Sequence, residues 1–233
     1  GQVRHPDLLP GVIQHLGNPT TMVAATQALL AFGEGSCGDL AQAFTAAETS
    51  LYVRRQIPKV LGRITCPTST AILLQHLGEE DDHTRARVYK ALVRLQARGI
   101  PINGSGEQLR ARLDTEMRLA YESAVLQLDL QPGIDGSLLA DALALRQRFA
   151  FDRIFYLLGL LYSESNMAEI RFSLAAEDPR RRANATELLD TTIDRAVKNQ
   201  LLPLLEGPDN RLLAIASEEL GLQRQSAAQR SAA

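Results

Sequence analysis

Two sets of side chains in this 233-residue sequence could carry chemistry: four histidines with two cysteines, and a dense population of arginines and lysines. Metal or nucleophilic chemistry would need the first set at ligand spacing. His15 and His76 each precede Leu-Gly and stand 61 residues apart, so they mark equivalent points of a recurring pattern and not one cluster. His5 and His83 fall in polar loops with no carboxylate at a metal-ligand step, and no HExxH or CxxC occurs. A serine nucleophile would want a GxSxG elbow, whereas Gly104-Ser105-Gly106 reads as a flexible loop. No glycine-rich phosphate loop runs into Lys-Ser or Lys-Thr. The sequence therefore predicts no catalytic residue, no cofactor and no metal ligand.

The cations are better ordered. Arg54, Arg55, Lys59 and Arg63 lie in Leu51–Ile64, LYVRRQIPKVLGRI, and Arg85, Arg87, Lys90 and Arg94 lie in the stretch Thr84–Ala97. In the first stretch Val53, Ile57, Val60, Leu61 and Ile64 trace one apolar stripe of an amphipathic helix and leave the cations facing water. The stretch has counterparts on both sides. Leu30 in TMVAATQALLAFG, Leu61 and Leu92 in TRARVYKALVRL follow one another at steps of 31 residues. A period of about thirty residues, each unit a helical pair, predicts an α-solenoid whose second helices line one side. The expected working surface is the face of the helices Thr21–Phe32, Val53–Ile64 and Thr84–Ala97. Its candidate interaction residues are Arg55, Lys59, Arg63, Lys90 and Arg94, suited to an acidic partner or to phosphates. The competing reading is an ordinary solvated face. Arg180, Arg181 and Arg182 read as a solvated first helical turn, although cations there oppose the helix dipole.

In chain order, Asp7–Leu16 is a first helix, closed by HLGNP, where Gly17, Asn18 and Pro19 suit a helix end and the next start. GEGSCG separates the second helix from a pair built on Leu40, Phe44 and the Leu51–Ile64 stretch. Ser69–Leu77 and Thr84–Ala97 make a third pair, and Pro58 is expected to bend its helix. The rhythm then changes. Gln108–Leu128 carries the stripe Leu109, Leu113, Met117, Ala120, Tyr121, Ala124 and Leu128, and QPGIDG turns the chain. Ser137–Ser163 reads as the longest helix, apolar nearly all round from Phe149 to Tyr162, and so central. A capping box at Asn166 and Glu169, a start at Asp178-Pro179, and a last pair at Ala196–Leu205 and Pro208–Leu220 resume the short units. One solenoid over 1–222 is expected, with regular repeats at 7–98, an enlarged pair at 107–163 and further repeats at 166–222. Residues 223–233 read as a frayed tail or linker.

Composition narrows the function. A net charge of −2 removes whole-chain attraction to nucleic acid or anionic lipid. Aromatics at 5% and no Trp fit small-residue helix packing. The most apolar run, Phe155–Tyr162, is far short of the roughly 20 residues that a membrane helix needs. No signal-peptide pattern opens the sequence, and Gly1 in place of Met suggests a segment cut from a larger protein. Cys37 and Cys66 occupy equivalent inter-helix loops whose backbones would stand about 10 Å apart at normal helix spacing. A disulfide wants Cα atoms within about 7 Å. Free thiols in a reducing, cytoplasmic compartment are expected.

The second helices, with small residues, Val-Arg and a terminal Leu-Gly, resemble HEAT repeats over Leu9–Arg98 and more loosely over Ala175–Leu220. The resemblance implies an all-α, HEAT-like α-α superhelix with an enlarged helical pair in the middle. It also implies an inter-repeat ladder pairing a turn acid with an Arg six positions on. Glu48 with Arg54 and Asp81 with Arg87 fit that ladder; Asn18 with Ala24 and Asp178 with Asn184 do not. Tyr52–Ile64, Tyr89–Leu95 and Asp178–Asp190 together are similar to the HEAT segment of bacterial proteins that join a nucleotide-translocase-like transporter, HEAT repeats and a cyclic-nucleotide-binding domain. That likeness implies a non-enzymatic scaffold or regulatory connector of a larger intracellular protein. Its partner would be another protein or an adjacent domain, acidic where the basic face is used, with nucleic acid and membrane insertion disfavoured. Two enzyme classes use similar helices, the glycosylases and the group of bilin lyases and hydroxylases. HEAT-like DNA glycosylases depend on Trp and a strongly basic groove, and HEAT-like hydroxylases on His-Glu metal pairs, all missing here; bilin lyases leave no motif to test.

Overall fold

A computed structural model describes residues 6–102, 105–134, 137–162, 164–174, 176 and 178–206. All regular structure among them is helical. The chain divides into two compact units, 1–107 and 108–233. His5, the start of the GSG loop at Gly104, the side chain of Asn166, the helix expected at Pro208–Leu220 and the tail from Gln223 lie outside the described residues.

The first unit holds α1 (Leu9–Gln14), α2 (Met22–Phe32), α3 (Cys37–Thr45), α4 (Leu51–Leu61), α5 (Pro67–Gln75) and α6 (Asp82–Ala97). Local chemistry starts α4 at the expected Leu51, and starts α5 and α6 two residues before the expected Ser69 and Thr84. Ser50 Oγ accepts from the Val53 amide at the head of α4, Cys66 Sγ from the Ser69 amide at α5, and Asp81 Oδ2 from the Thr84 amide at α6. Each cap satisfies one of the amides that a helix N-terminus leaves without an internal acceptor. α1 packs on α2 and α3, α3 on α4 and α5, α5 on α6, and α4 on both α2 and α6. Leu40, Ile57, Leu61, Leu73, Val88 and Leu92 are fully buried between them.

The 31-residue register holds well between α4 and α6: Leu61 and Leu92 are both fully buried. It loosens at α2, where Leu30 is only half-buried and the neighbouring Leu29 is fully enclosed. A 3-10 turn at His15–Gly17 packs on α4 beside α2. A Cβ on Gly17 would stand 2.9 Å from Val53 Cγ2, so this turn wedges against the first part of α4. A second glycine sets a tighter contact. A Cβ on Gly62 would fall 2.7 Å from Ala91 Cβ and 2.8 Å from Ala91 Cα, so only a residue with no side chain lets the end of α4 lie so close to α6.

Cys37 and Cys66 are free and buried, their sulfurs 3.9 Å apart and each within 3.5 Å of Ser69 Oγ. The sulfurs are closer than the helix spacing suggests because both cysteines sit at helix starts that face the same seam. Burial pushes the Cys37 thiol up to about 11, so it is neutral and a poor nucleophile near pH 7. His76 stacks on Phe44, with ring centroids 3.9 Å apart, and its Nδ1 meets Glu79 Oε1 at 2.7 Å. That ring joins the α3–α4 pair to the α5–α6 pair, which is a structural task.

The second unit contains α7 (Gly106–Ile134), α8 (Leu138–Leu161), α9 (Glu164–Leu174), α10 (Pro179–Thr192) and α11 (Arg195–Glu206). α7, at 29 residues, exceeds α8, at 24, so the longest helix is not the one the sequence suggests. It continues through Gln131-Pro132-Gly133, where a turn is expected; a proline forfeits only its own amide hydrogen bond and need not end a helix. The expected stripe of α7 is buried from Leu109 to Ala124, and α8 is enclosed at Ile154, Leu157 and Leu158. Arg153 lies within that apolar stretch and donates from Nε to Glu116 Oε2 of α7 at 2.7 Å. α8 packs on α9, α9 on α10 and α10 on α11, and Tyr121 donates its hydroxyl to the Gln200 carbonyl. No helix among the described residues is long and apolar enough to cross a membrane.

Candidate functional site

The cations of α4 and α6 form two matched rows. Lys59 and Lys90 are 31 residues apart, and so are Arg63 and Arg94. Within each row the two residues are four positions apart, about 6 Å on one helical face. Arg63 sits just past α4, in a turn that keeps the helical course because the Gly62 amide still bonds the Pro58 carbonyl at 2.9 Å. All four side chains are exposed. None of them has an ion-pair partner among the described residues.

These rows line a groove of about 610 Å³. Its floor is Pro58, Gly62 and Ala91, all buried, so the Gly62–Ala91 contact that draws the helices together also forms the base of the groove. The α2 side is uncharged: Met22 and Thr26 are half-buried, Gln27 is exposed, and Val23 is 61% exposed. Arg87 adds a fifth cation among the lining residues, and no acid lines the groove. Partial desolvation, then repulsion from Arg87 and Lys90, hold the Lys59 ammonium below its ordinary range. Arg87 is likewise lowered, chiefly by desolvation and then by Arg55, with Asp81 acting the other way. A site where cations weaken one another's charge is one where an added anion is favoured.

Several residues stand elsewhere than the sequence suggests. Arg55 is not a free member of the face. Its Nε and Nη2 grip Asp81 Oδ2 and Oδ1 at 2.9 and 2.5 Å, a two-point contact from α4 to the cap of α6. The expected Asp81–Arg87 pairing is thereby displaced, and Arg87 instead donates to the Arg55 carbonyl at 2.7 Å, still joining α6 to α4. Glu48 and Arg54 do not pair: Glu48 is exposed, and Arg54 donates to the Ala46 carbonyl at 3.1 Å. The turn acid Asp81 is instead bound to an arginine of the adjacent helical pair, which precedes it by 26 residues. Arg85 leaves the basic face altogether. It is 5% exposed and donates to the Glu79 carbonyl at 2.6 Å, holding the α5–α6 turn. Its position three, four and seven residues before Val88, Tyr89 and Leu92 is the signal that places it on the inner side.

The Asp81 link has a pH signature. Hydrogen bonds from Arg55, then from Thr84, hold the Asp81 carboxyl well below the usual carboxylate range. Its stabilising contribution is therefore complete above the unfolded value of about 3.9 and is lost as pH falls below it towards the folded value. Asp81→Asn is expected to be less stable than the parent at pH 7, with the gap narrowing as the pH falls below about 4. Urea midpoints across that range measure it, and parallel profiles for the two proteins would exclude the link.

Comparison of the chain with protein-family models, with curated proteins and with solved structures returns no match.

Proposed function

We propose that this chain is a HEAT-like α-solenoid acting as a non-enzymatic scaffold or regulatory connector, which docks another protein or an adjacent domain through the groove over α2, α4 and α6. The solenoid reading draws support from the helix contacts of the first unit: first helices touch in succession, and the second helices α4 and α6 repeat at 31 residues. The observation that carries the docking reading is the two-by-two array of Lys59, Arg63, Lys90 and Arg94, exposed, unneutralised and gathered on one groove. Arg55 is engaged by Asp81, and Arg54 and Arg87 by backbone carbonyls, so among the cations of the α4 and α6 stretches these four are the exposed ones left to a partner. The resemblance of Tyr52–Ile64, Tyr89–Leu95 and Asp178–Asp190 to transporter-linked HEAT segments favours a connector at the cytoplasmic side of a membrane protein.

The test uses poly-L-glutamate as a probe of the groove. The variant Lys59→Glu, Arg63→Glu, Lys90→Glu, Arg94→Glu should fold, because exposed substitutions typically shift stability by no more than about 0.5 kcal/mol each. It should lose at least about tenfold in affinity for the probe, and the salt dependence of binding should flatten with it. A parent protein and variant that bind the probe alike would show that the working surface lies elsewhere.

A further inference from the structure

The groove is asymmetric, and the asymmetry describes its occupant. On one side stand two rows of cations; on the other, α2 offers Met22 and the 61%-exposed Val23 with no charge at all. A single small anion could not satisfy the array. Adjacent cations in a row are about 6 Å apart, and helix axes lie about 8–10 Å apart, so opposite corners are separated by roughly 10 Å or more. A single-stranded nucleic acid could span that distance but would want aromatic platforms for its bases, and no aromatic residue lines the groove. An occupant with apolar groups along one edge and carboxylates along the other, recurring at the same one-turn spacing, satisfies both walls together. Resting on the docking reading above, we propose that the groove binds an acidic amphipathic helix of a partner protein. Its Asp or Glu residues at i and i+4 face Lys59 with Arg63 and Lys90 with Arg94, and an apolar side chain is seated on Met22 and Val23. This is the helix-in-groove mode, in which the apolar stripe anchors the segment and the charges set its register.

The experiment compares four probes against the full chain by fluorescence anisotropy. The first is a peptide with Leu at i, i+3 and i+7 and Glu at paired i, i+4 positions on the flank. The second is a scrambled peptide of identical composition; the third and fourth are inorganic polyphosphate and a single-stranded oligonucleotide. The patterned peptide should bind at least tenfold tighter than the scrambled one, and its circular dichroism should gain helical signal on binding. Lys59→Glu with Lys90→Glu should weaken it at least tenfold, and Val23→Ser, at an exposed position, about fivefold. If the patterned and scrambled peptides bind alike and Val23→Ser is silent, the helix assignment fails while the anionic groove stands. If polyphosphate or the oligonucleotide binds more tightly than the patterned peptide, the occupant is not a protein segment and the proposal falls. If no anionic probe responds to the charge reversals, the docking reading itself is lost.

Discussion

Replacing Glu116 with alanine is expected to lower the free energy of unfolding by about 3–5 kcal/mol, a range typical when one partner of a buried ion pair is removed. The carboxylate is fully buried, and the Arg153 side chain that donates to it at 2.7 Å is 3% exposed. Arg153 belongs to the part of α8 that is otherwise closed by Ile154, Leu157 and Leu158. Deleting Glu116 therefore removes an opposite charge and a close acceptor from a buried guanidinium in an apolar seam. Two further variants separate charge from packing. Glu116→Gln keeps the shape and an acceptor and should cost less than the alanine. The double replacement Glu116→Met with Arg153→Leu should recover much of the loss, because an apolar pair of similar volume has no ion to desolvate. Urea denaturation of the three proteins reads the series. A cost under about 1 kcal/mol for Glu116→Ala would mean that the α7–α8 seam does not depend on the pair.

Leu61→Ala is expected to cost about 2–5 kcal/mol, as the loss of a buried leucine usually does through lost transfer energy and the cavity left behind. The informative control is Leu30→Ala. Both leucines occupy the same point of the 31-residue pattern, but Leu61 is fully buried and Leu30 is not. The effect at Leu30 should be smaller than at Leu61, because a partly exposed side chain has less apolar area to return to water. Equal effects would mean that the pattern extends into α2 as fully as into α6.

Those two leucines also show what a sequence can and cannot disclose. α4 is legible because Val53, Ile57, Val60, Leu61 and Ile64 fall on one face at helical spacing and all five are buried. Such periodicity is local, and it survives whatever the neighbours do. The Arg55–Asp81 contact depends on the lateral offset between two helices, which no spacing along the chain encodes. A motif rule therefore chose Arg87, six residues from the acid, over Arg55 on the neighbouring unit. Arg85 is legible too: its place in the stripe with Val88, Tyr89 and Leu92 outweighs its charge. The Lys59, Arg63, Lys90 and Arg94 array was readable as a face, because all four escape the apolar stripes. That it borders a groove was not, since the groove exists only where Gly62 and Ala91 let two helices approach. The end of α7 misled for a simpler reason: Pro-Gly is a strong turn signal, and here the helix runs on through it.

The unneutralised array has a consequence for the packing of the helices themselves. Five like charges around the α4–α6 seam, counting Arg87, repel one another, and the two helices are held together against that repulsion by the Arg55 grip on Asp81 and by apolar burial. Dissolved salt screens such repulsion over a Debye length of about 10 Å at 0.1 M. Raising ionic strength should thus ease that repulsion across the seam, at the same concentrations that would weaken the proposed binding of an acidic helix. If the groove docks an acidic segment, that docking and the cohesion of the seam respond to this screening with opposite sign. An occupant spanning both rows would relieve that repulsion in the act of binding.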